Sequence, residues 1–502
     1  MKLPRNKPAL FIVMLTIIIL SILNIYANRM AMTSSHDKDQ ILPCELHPVY
    51  NYSTTYENNY TATPFKHVII LILENHAFDN IFGVYPYGIP QIFNNVTNNV
   101  MKPVNLIFSN NGSSNYNYGE SISGLHYAPE VIQKNPGEGY YIYHSDWNYG
   151  AMNGFLNFSG PQSLTFLSYQ QVPLFWDYAE EYVLADSYFS PVLSVTQPNR
   201  VAYLTGYPTQ LTEDDKITGI IPLQNSILYQ LSFYNISWGY FDYGYTPENA
   251  QAPFPLEVFS DATGFKEHYF NTSQFLFDLQ HGELPSVSWV MFTGGTGYDT
   301  HPDSLDMHPP ANLTISQINL YNVINAIMKS PYWNTSVIFV TFDEGGGFYD
   351  QIPPPIIYTY GEGYSPFLSK YGITNYSTLG QRVPLLIISP YSKEGWINNY
   401  SLSGYSILGF IEYNWRLPYI TQIVANSDVP GILQSFNFEG QLRKPIIITD
   451  TNWTYPIPLQ FPVHYGYIAY VEENYTGYLI LYNKGLISDS SLRSIMMYGT
   501  MD

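Results

Sequence analysis

Charge is scarce in this chain. Only 12% of its 502 residues are Asp, Glu, Lys or Arg, and the basic ones are fewer still, 20 against 40 acidic. A net charge of -20 argues against nucleic acid as a partner, because nucleic acid needs a basic surface. It argues equally against electrostatic docking on anionic lipid. Cysteine is nearly absent: Cys44 stands alone, so no internal disulfide can form. Abundance lies elsewhere, in 45% hydrophobic residues and 17% aromatics, 48 of them Tyr, which excludes a disordered chain. A surface of Tyr, Asn, Ser and Thr changes charge little as carboxylates protonate, which fits an acidic habitat.

The first residues predict export. Lys2, Arg5 and Lys7 precede the uncharged apolar run from Ala9 to Ala27, the pattern of a signal peptide or a retained membrane anchor. Thirteen Asn-x-Ser/Thr sequons between Asn51 and Asn474 then suggest a glycosylated surface. The expected organisation is an N-terminal export segment (1–30), a polar linker (31–63), a large catalytic domain (64–428) and a small β-rich C-terminal appendage (429–502).

Within the large domain, "FKHVIILILEN" (65–75), "LPSVSWVMF" (284–292), "SVIFVTF" (336–342) and "RVPLLIISPY" (382–391) read as buried strands. "VPLFWDYAEEYVLADSYFSP" (172–191) reads as a helix running into a strand. "ISQINLYNVINAIMKSPYW" and "YSILGFIEYNW" have helical spacing, the former stopping before Pro331. Strands alternating with helices imply an α/β fold with a mostly parallel sheet covered on both faces. Residues 84–140 and 207–280 show no clear periodicity and read as loops or a lid.

Sites in such sheets lie beyond the carboxyl ends of the strands. One strand ends in Glu74-Asn75-His76 and another in Asp343-Glu344, followed by Gly345, Gly346 and Gly347. If the two strands are neighbours, three carboxylates and an amide converge, and such acids repel unless a cation holds them. Oxygen-rich ligation suits a hard or borderline divalent metal. In "SVTQPNRVAYLTG" (194–206), Pro198 suits a first helical turn, which puts Thr196 at a helix N-terminus. There it is either an ordinary cap or a nucleophile facing an anion. His126, His301 and His308 lie in irregular segments; His308 ranks above His301 as a proton donor or ligand.

Together these pieces resemble the phosphoesterase family of bacterial phospholipases C and acid phosphatases, within the alkaline-phosphatase superfamily. The matching stretches include "HVIILILENHAFDNIFG", "GAMNGFL", "ADSYFSPVLSVTQPNRVAYLTG", "HPPANL", "VIFVTFDEGGGFYDQIPPP" and "LGQRVPLLIISPYSKEGWI". They span 67 to about 416 in the family's order. The resemblance implies a three-layer α/β/α sandwich and metal-assisted phosphoryl transfer. It implies metal held by Glu74, Asn75, Asp343 and Glu344, and Thr196 as nucleophile through a phosphothreonine. His126 and His308 fall where the family carries active-site histidines, and Arg200 falls where it can orient the site. The glycines would let the backbone clear a bound phosphate ester.

Two family histidines are missing, with Gln351 after Asp350 and Gly404 before the last helix. The expected function is therefore an extracellular or surface-anchored, metal-dependent hydrolase of a phosphate monoester or a phospholipid head group. The lack of an obvious amphipathic membrane helix leans toward soluble phosphomonoesters. Alternatives are a hydrolase of a sulfate ester or nucleotide diester, or an inactive scaffold serving as a surface glycoprotein. Retention of Glu74, Asn75, Thr196, Asp343 and Glu344 together favours the enzyme.

Overall fold

A computed structural model describes most of residues 61–448, with the longer omissions at 86–92, 104–125, 128–133, 293–303 and 359–375, together with residues 464 and 465. Among the described residues, nine strands form the central sheet: β1 His67–Leu73, β2 Val183–Ala185, β3 Trp238–Asp242, β4 Tyr269–Phe270, β5 Val287–Met291, β6 Ser336–Phe342, β7 Leu385–Ile388, β8 Trp396–Asn398 and β9 His464–Tyr465. Their spatial order is β4-β3-β5-β1-β6-β7-β2-β8-β9. Every neighbouring pair is parallel except those made by β7, which runs antiparallel to both β6 and β2. All seven residues of β6 and six of seven in β1 are buried. Successive side chains point to opposite faces, so burial without alternation means that both faces are covered. The mostly parallel α/β sheet expected from the sequence is therefore what forms.

Eight of the covering and connecting helices matter below: α1 Tyr140–Trp147, α2 Pro173–Glu181, α3 Thr196–Thr205, α4 Ile227–Phe233, α5 Thr272–His281, α6 Leu313–Lys329, α7 Gly404–Asn414 and α8 Val429–Leu433. The expected stop of α6 before Pro331 holds, the helix ending at Lys329. The segment 207–280, read as irregular, contributes β3, β4, α4 and α5. Beyond residue 428, α8 packs on α7 and β9 pairs with β8 at the sheet edge. Most of the expected β-rich appendage, like the N-terminal export segment and linker, lies outside the described residues. Among the described residues no helix is long and apolar enough to cross a membrane.

Candidate active site

β1 and β6 are hydrogen-bonded parallel neighbours in register, His67 opposite Ser336 through Leu73 opposite Phe342. Glu74 and Asp343 therefore leave the sheet side by side, and both are fully buried. The turn after β1 is tight: Asn75 adopts φ 61°, a left-handed conformation that Asn tolerates better than most residues. Its backbone N–H donates to Asp343 Oδ1 at 3.3 Å. After β6 the glycines answer a local demand. Gly346 has φ 63°, and a Cβ there would lie 2.3 Å from the Asn75 carbonyl oxygen; one on Gly347 would lie 2.4 Å from that of Gly137. What these glycines clear is protein backbone: at Gly346 the turn after β1, and at Gly347 the segment that leads into α1.

α3 brings the third component. Val195 is the cap residue and makes no side-chain cap, while Thr196 is the first helical residue and Pro198 lies in the first turn. The hydroxyl of Thr196 is thus not an N-cap; it donates to Glu74 Oε2 at 3.2 Å. One turn along the same helix, the buried Arg200 guanidinium lies between the two strand ends. Its Nη2 pairs with Glu74 Oε1, and its Nε donates to Asp343 Oδ2 at 3.3 Å. At the helix N-terminus the Gln197 N–H donates to Asp214 Oδ1 at 2.6 Å, so a carboxylate meets the positive end of the dipole.

Glu344 is buried as well, accepting from Tyr143 Oη of α1 at 2.9 Å and from the Gly346 N–H at 2.6 Å. Burial, reinforced by the charges of Asp343 and Glu138, pushes its carboxyl well above the usual range. His308 joins the group: its Nε2 lies 3.0 Å from Asn75 Nδ2, and its Nδ1 lies 2.7 Å from the Pro309 carbonyl oxygen. Its N–H donates to Asp306 Oδ1 at 3.0 Å, and the Asp306 carbonyl accepts from the Glu74 N–H at 2.9 Å.

Thr196, Arg200, Glu74, Asn75, Asp343, Glu344 and His308 are thus gathered at one edge. His76 is not part of that edge. It stacks on Phe348 and bonds Asn80 Oδ1 at 2.7 Å, and burial lowers its pKa to about 4. His126 forms a two-residue strand paired with Thr165–Phe166, but its side chain lies outside the described residues, as does His301. Gly404, where a family histidine was expected, has no room for one: a Cβ would lie 2.4 Å from the Tyr203 ring. Sequence reasoning missed Glu138, Tyr143 and Asp214, which come from segments without periodic pattern.

Among the described residues, no three His, Cys, Asp or Glu side chains stand ready to ligate a cation together; the charge between Glu74 and Asp343 is met by Arg200. The donor chemistry nevertheless fits a hard divalent ion, with three carboxylates and an amide oxygen. Asn75 Oδ1 is buried with no hydrogen-bond partner, a costly state for an amide oxygen that a cation could relieve.

Residues 65–418 match the family described as the phosphoesterase family. The chain belongs to this family. Its similar phosphoesterases include the non-hemolytic phospholipase C of Burkholderia pseudomallei, 25% identical over 72% of this chain and 57% of that one. The non-specific phospholipase C6 of Arabidopsis thaliana is 25% identical over 67% and 63%. Phospholipase C B of Mycobacterium tuberculosis is 24% identical over 75% and 78%. The chain spans 57% and 63% of the first two relatives. Among solved structures, the lipoteichoic acid synthase LtaP of Listeria monocytogenes aligns at TM-score 0.35 and 10% identity, covering 75% of this chain and 79% of that one. A protein of the alkaline phosphatase superfamily from Vibrio parahaemolyticus aligns at TM-score 0.31 and 12% identity, covering 61% and 76%.

Proposed function

We propose that this phosphoesterase is a phosphoric ester hydrolase of phospholipase C type, with Thr196 as its nucleophile. The observation that carries the reading is the Thr196 hydroxyl held against Glu74 at the N-terminus of α3, over two parallel strand ends. The relatives named as phospholipases C point to a phospholipid head-group ester as the substrate. In the proposed reaction Thr196 Oγ1 attacks phosphorus and its proton passes to Glu74 Oε2. The P–O bond to the lipid alcohol breaks, and that oxygen takes a proton from solvent. Water then adds to phosphorus and gives up a proton to solvent, the P–Oγ1 bond breaks, and Thr196 Oγ1 takes its proton back from Glu74. Arg200 keeps Glu74 and Asp343 in place. A divalent cation held by Glu74, Asn75, Asp343 and Glu344 would supply Lewis acidity and lower the pKa of the threonine hydroxyl. The hydrophobic N-terminal segment exports the enzyme and leaves it outside the cell, free or anchored.

The test uses the full chain purified in detergent, with nitrophenyl phosphate and nitrophenylphosphorylcholine as substrates, with and without a chelator. Turnover of the phosphorylcholine ester that is chelator-sensitive and falls at least about 10³-fold in Thr196→Ala supports the proposal. Preference for the monoester would make the enzyme a phosphatase of the same mechanism. No turnover of either, with divalent metals supplied, would sink the hydrolase reading and favour the inactive surface scaffold.

A further inference from the structure

The proposed site contains a carboxylate to which the preceding mechanism gives no role. Glu138 lies just before α1, in a stretch with no periodic pattern, and its Oε1 accepts from Asn75 Nδ2 at 2.8 Å. The same amide nitrogen lies 3.0 Å from His308 Nε2. His308 Nδ1 faces the Pro309 carbonyl oxygen at 2.7 Å, so Nδ1 carries the proton and Nε2 is an acceptor. Asn75 therefore faces two acceptors, and only its NH₂ group can satisfy both. Turning the amide over would set its oxygen against a carboxylate and an imidazole lone pair. Because the amide is planar, fixing the nitrogen on Glu138 and His308 turns Oδ1 away from them. That oxygen is the buried atom without a hydrogen-bond partner.

We propose that Glu138 is a positioning residue: it holds the Asn75 amide in the one orientation that presents Oδ1, and not the NH₂ group, to a divalent cation. This rests on the metal-dependent reading above and assigns the orientation of one of its ligands. Glu138 acts through Asn75 and is itself neither ligand nor catalytic residue. Its acceptor oxygen is what matters, not its charge. Removing a partner that orients a metal ligand weakens metal binding by about 10-fold to 100-fold.

Isothermal titration of Mn²⁺ into the full chain in detergent tests this without turnover. Glu138→Ala should weaken Mn²⁺ binding by about 10-fold or more. Glu138→Gln, which keeps an acceptor oxygen, should stay within about threefold of the native protein. In an Asn75→Asp background, which has no NH₂ group to orient, Glu138→Ala should cost nothing or should improve binding by removing a facing carboxylate. Equal losses in Glu138→Ala and Glu138→Gln would make Glu138 a charge-bearing ligand and overturn the positioning role. So would an undiminished loss in the Asn75→Asp background, or Mn²⁺ binding by Glu138→Ala equal to that of the native protein. Native protein that binds neither Mn²⁺ nor Zn²⁺ would instead overturn the metal reading itself, and the role of Glu138 with it. Circular dichroism of each variant separates these outcomes from loss of fold.

Discussion

The buried triad behind the site gives the sharpest stability prediction. Arg382 is fully buried, and its guanidinium is divided between two buried carboxylates. Nη2 donates to Asp79 Oδ1 at 2.8 Å, and Nε donates to both Asp350 oxygens at 3.1 Å. Nη1 reaches the Asp186 carbonyl at 3.0 Å, and the group lies over the Phe78 ring, 4.2 Å from its centroid. Arg382→Met keeps much of the stem but leaves Asp79 and Asp350 facing each other without a cation. Removing one partner of a buried ion pair costs about 3–5 kcal/mol, because the remaining charge stays desolvated.

The cost must depend on pH, and its sign is fixed. Burial, then the neighbouring Asp350, raises the Asp79 carboxyl, while Arg382 pulls it back down; burial also raises Asp350 against the pull of Arg382. Without Arg382 both rise further. An acid with a folded pKa above its unfolded value of 3.8 holds its proton in the fold. Stability then falls as pH climbs between those two values. Urea unfolding of the full chain, followed by tryptophan fluorescence, should show the loss of about 3–5 kcal/mol at pH 8 and less than half of it at pH 5. Adding Asp79→Asn and Asp350→Asn to the variant should restore much of the stability at pH 8, because neutral polar groups replace stranded charges. Equal losses at both pH values, or no rescue in the triple variant, would refute the reasoning.

Other expectations follow from single contacts. Asp146 accepts from Ser159 Oγ at 2.5 Å, and burial pushes its carboxyl up to about 8. It is held protonated in the fold, so Asp146→Asn should raise the urea midpoint relative to the native protein at pH 8 and change it little at pH 4. Gly346→Ala should lower the urea midpoint and abolish turnover, since its Cβ would press on Asn75 and a positive φ alone costs about 1–2 kcal/mol; near-native activity would refute the packing role given to this glycine. Thr196→Ser keeps the hydroxyl facing Glu74 and should retain most of the turnover that Thr196→Ala loses; equal loss in both would argue against the nucleophile.

How much of this was legible follows from where each signal resides. β1, β6 and β7 are runs rich in β-branched, aliphatic and aromatic residues buried on both faces, and α6 and α7 carry helical spacing; a local pattern suffices for each. β3 has full burial too, yet "SWGYFDYG" (237–244) contains glycines and reads as a loop. The reason lies within the strand: a Cβ at Gly239 would lie 2.6 Å from the ring of Phe241 two residues along on the same face, so the glycine serves the strand's packing while erasing its signature.

The site divides in the same way. Glu74, Asn75, Asp343 and Glu344 end recognisable strands, and Thr196 and Arg200 are framed by a helix start, so their types and offsets point to them. What no local pattern carries is how they face one another. Arg200 looks like one more residue of α3 until the register of β1 against β6 places Glu74 and Asp343 within its reach. Asn75 could offer a cation either an oxygen or an unusable NH₂ group. That choice is made by Glu138 and His308, more than sixty and more than two hundred residues further along the chain. The sequence can therefore nominate oxygen donors at a strand end. Whether an amide among them acts as a donor at all is decided by acceptors that only the folded chain brings to it.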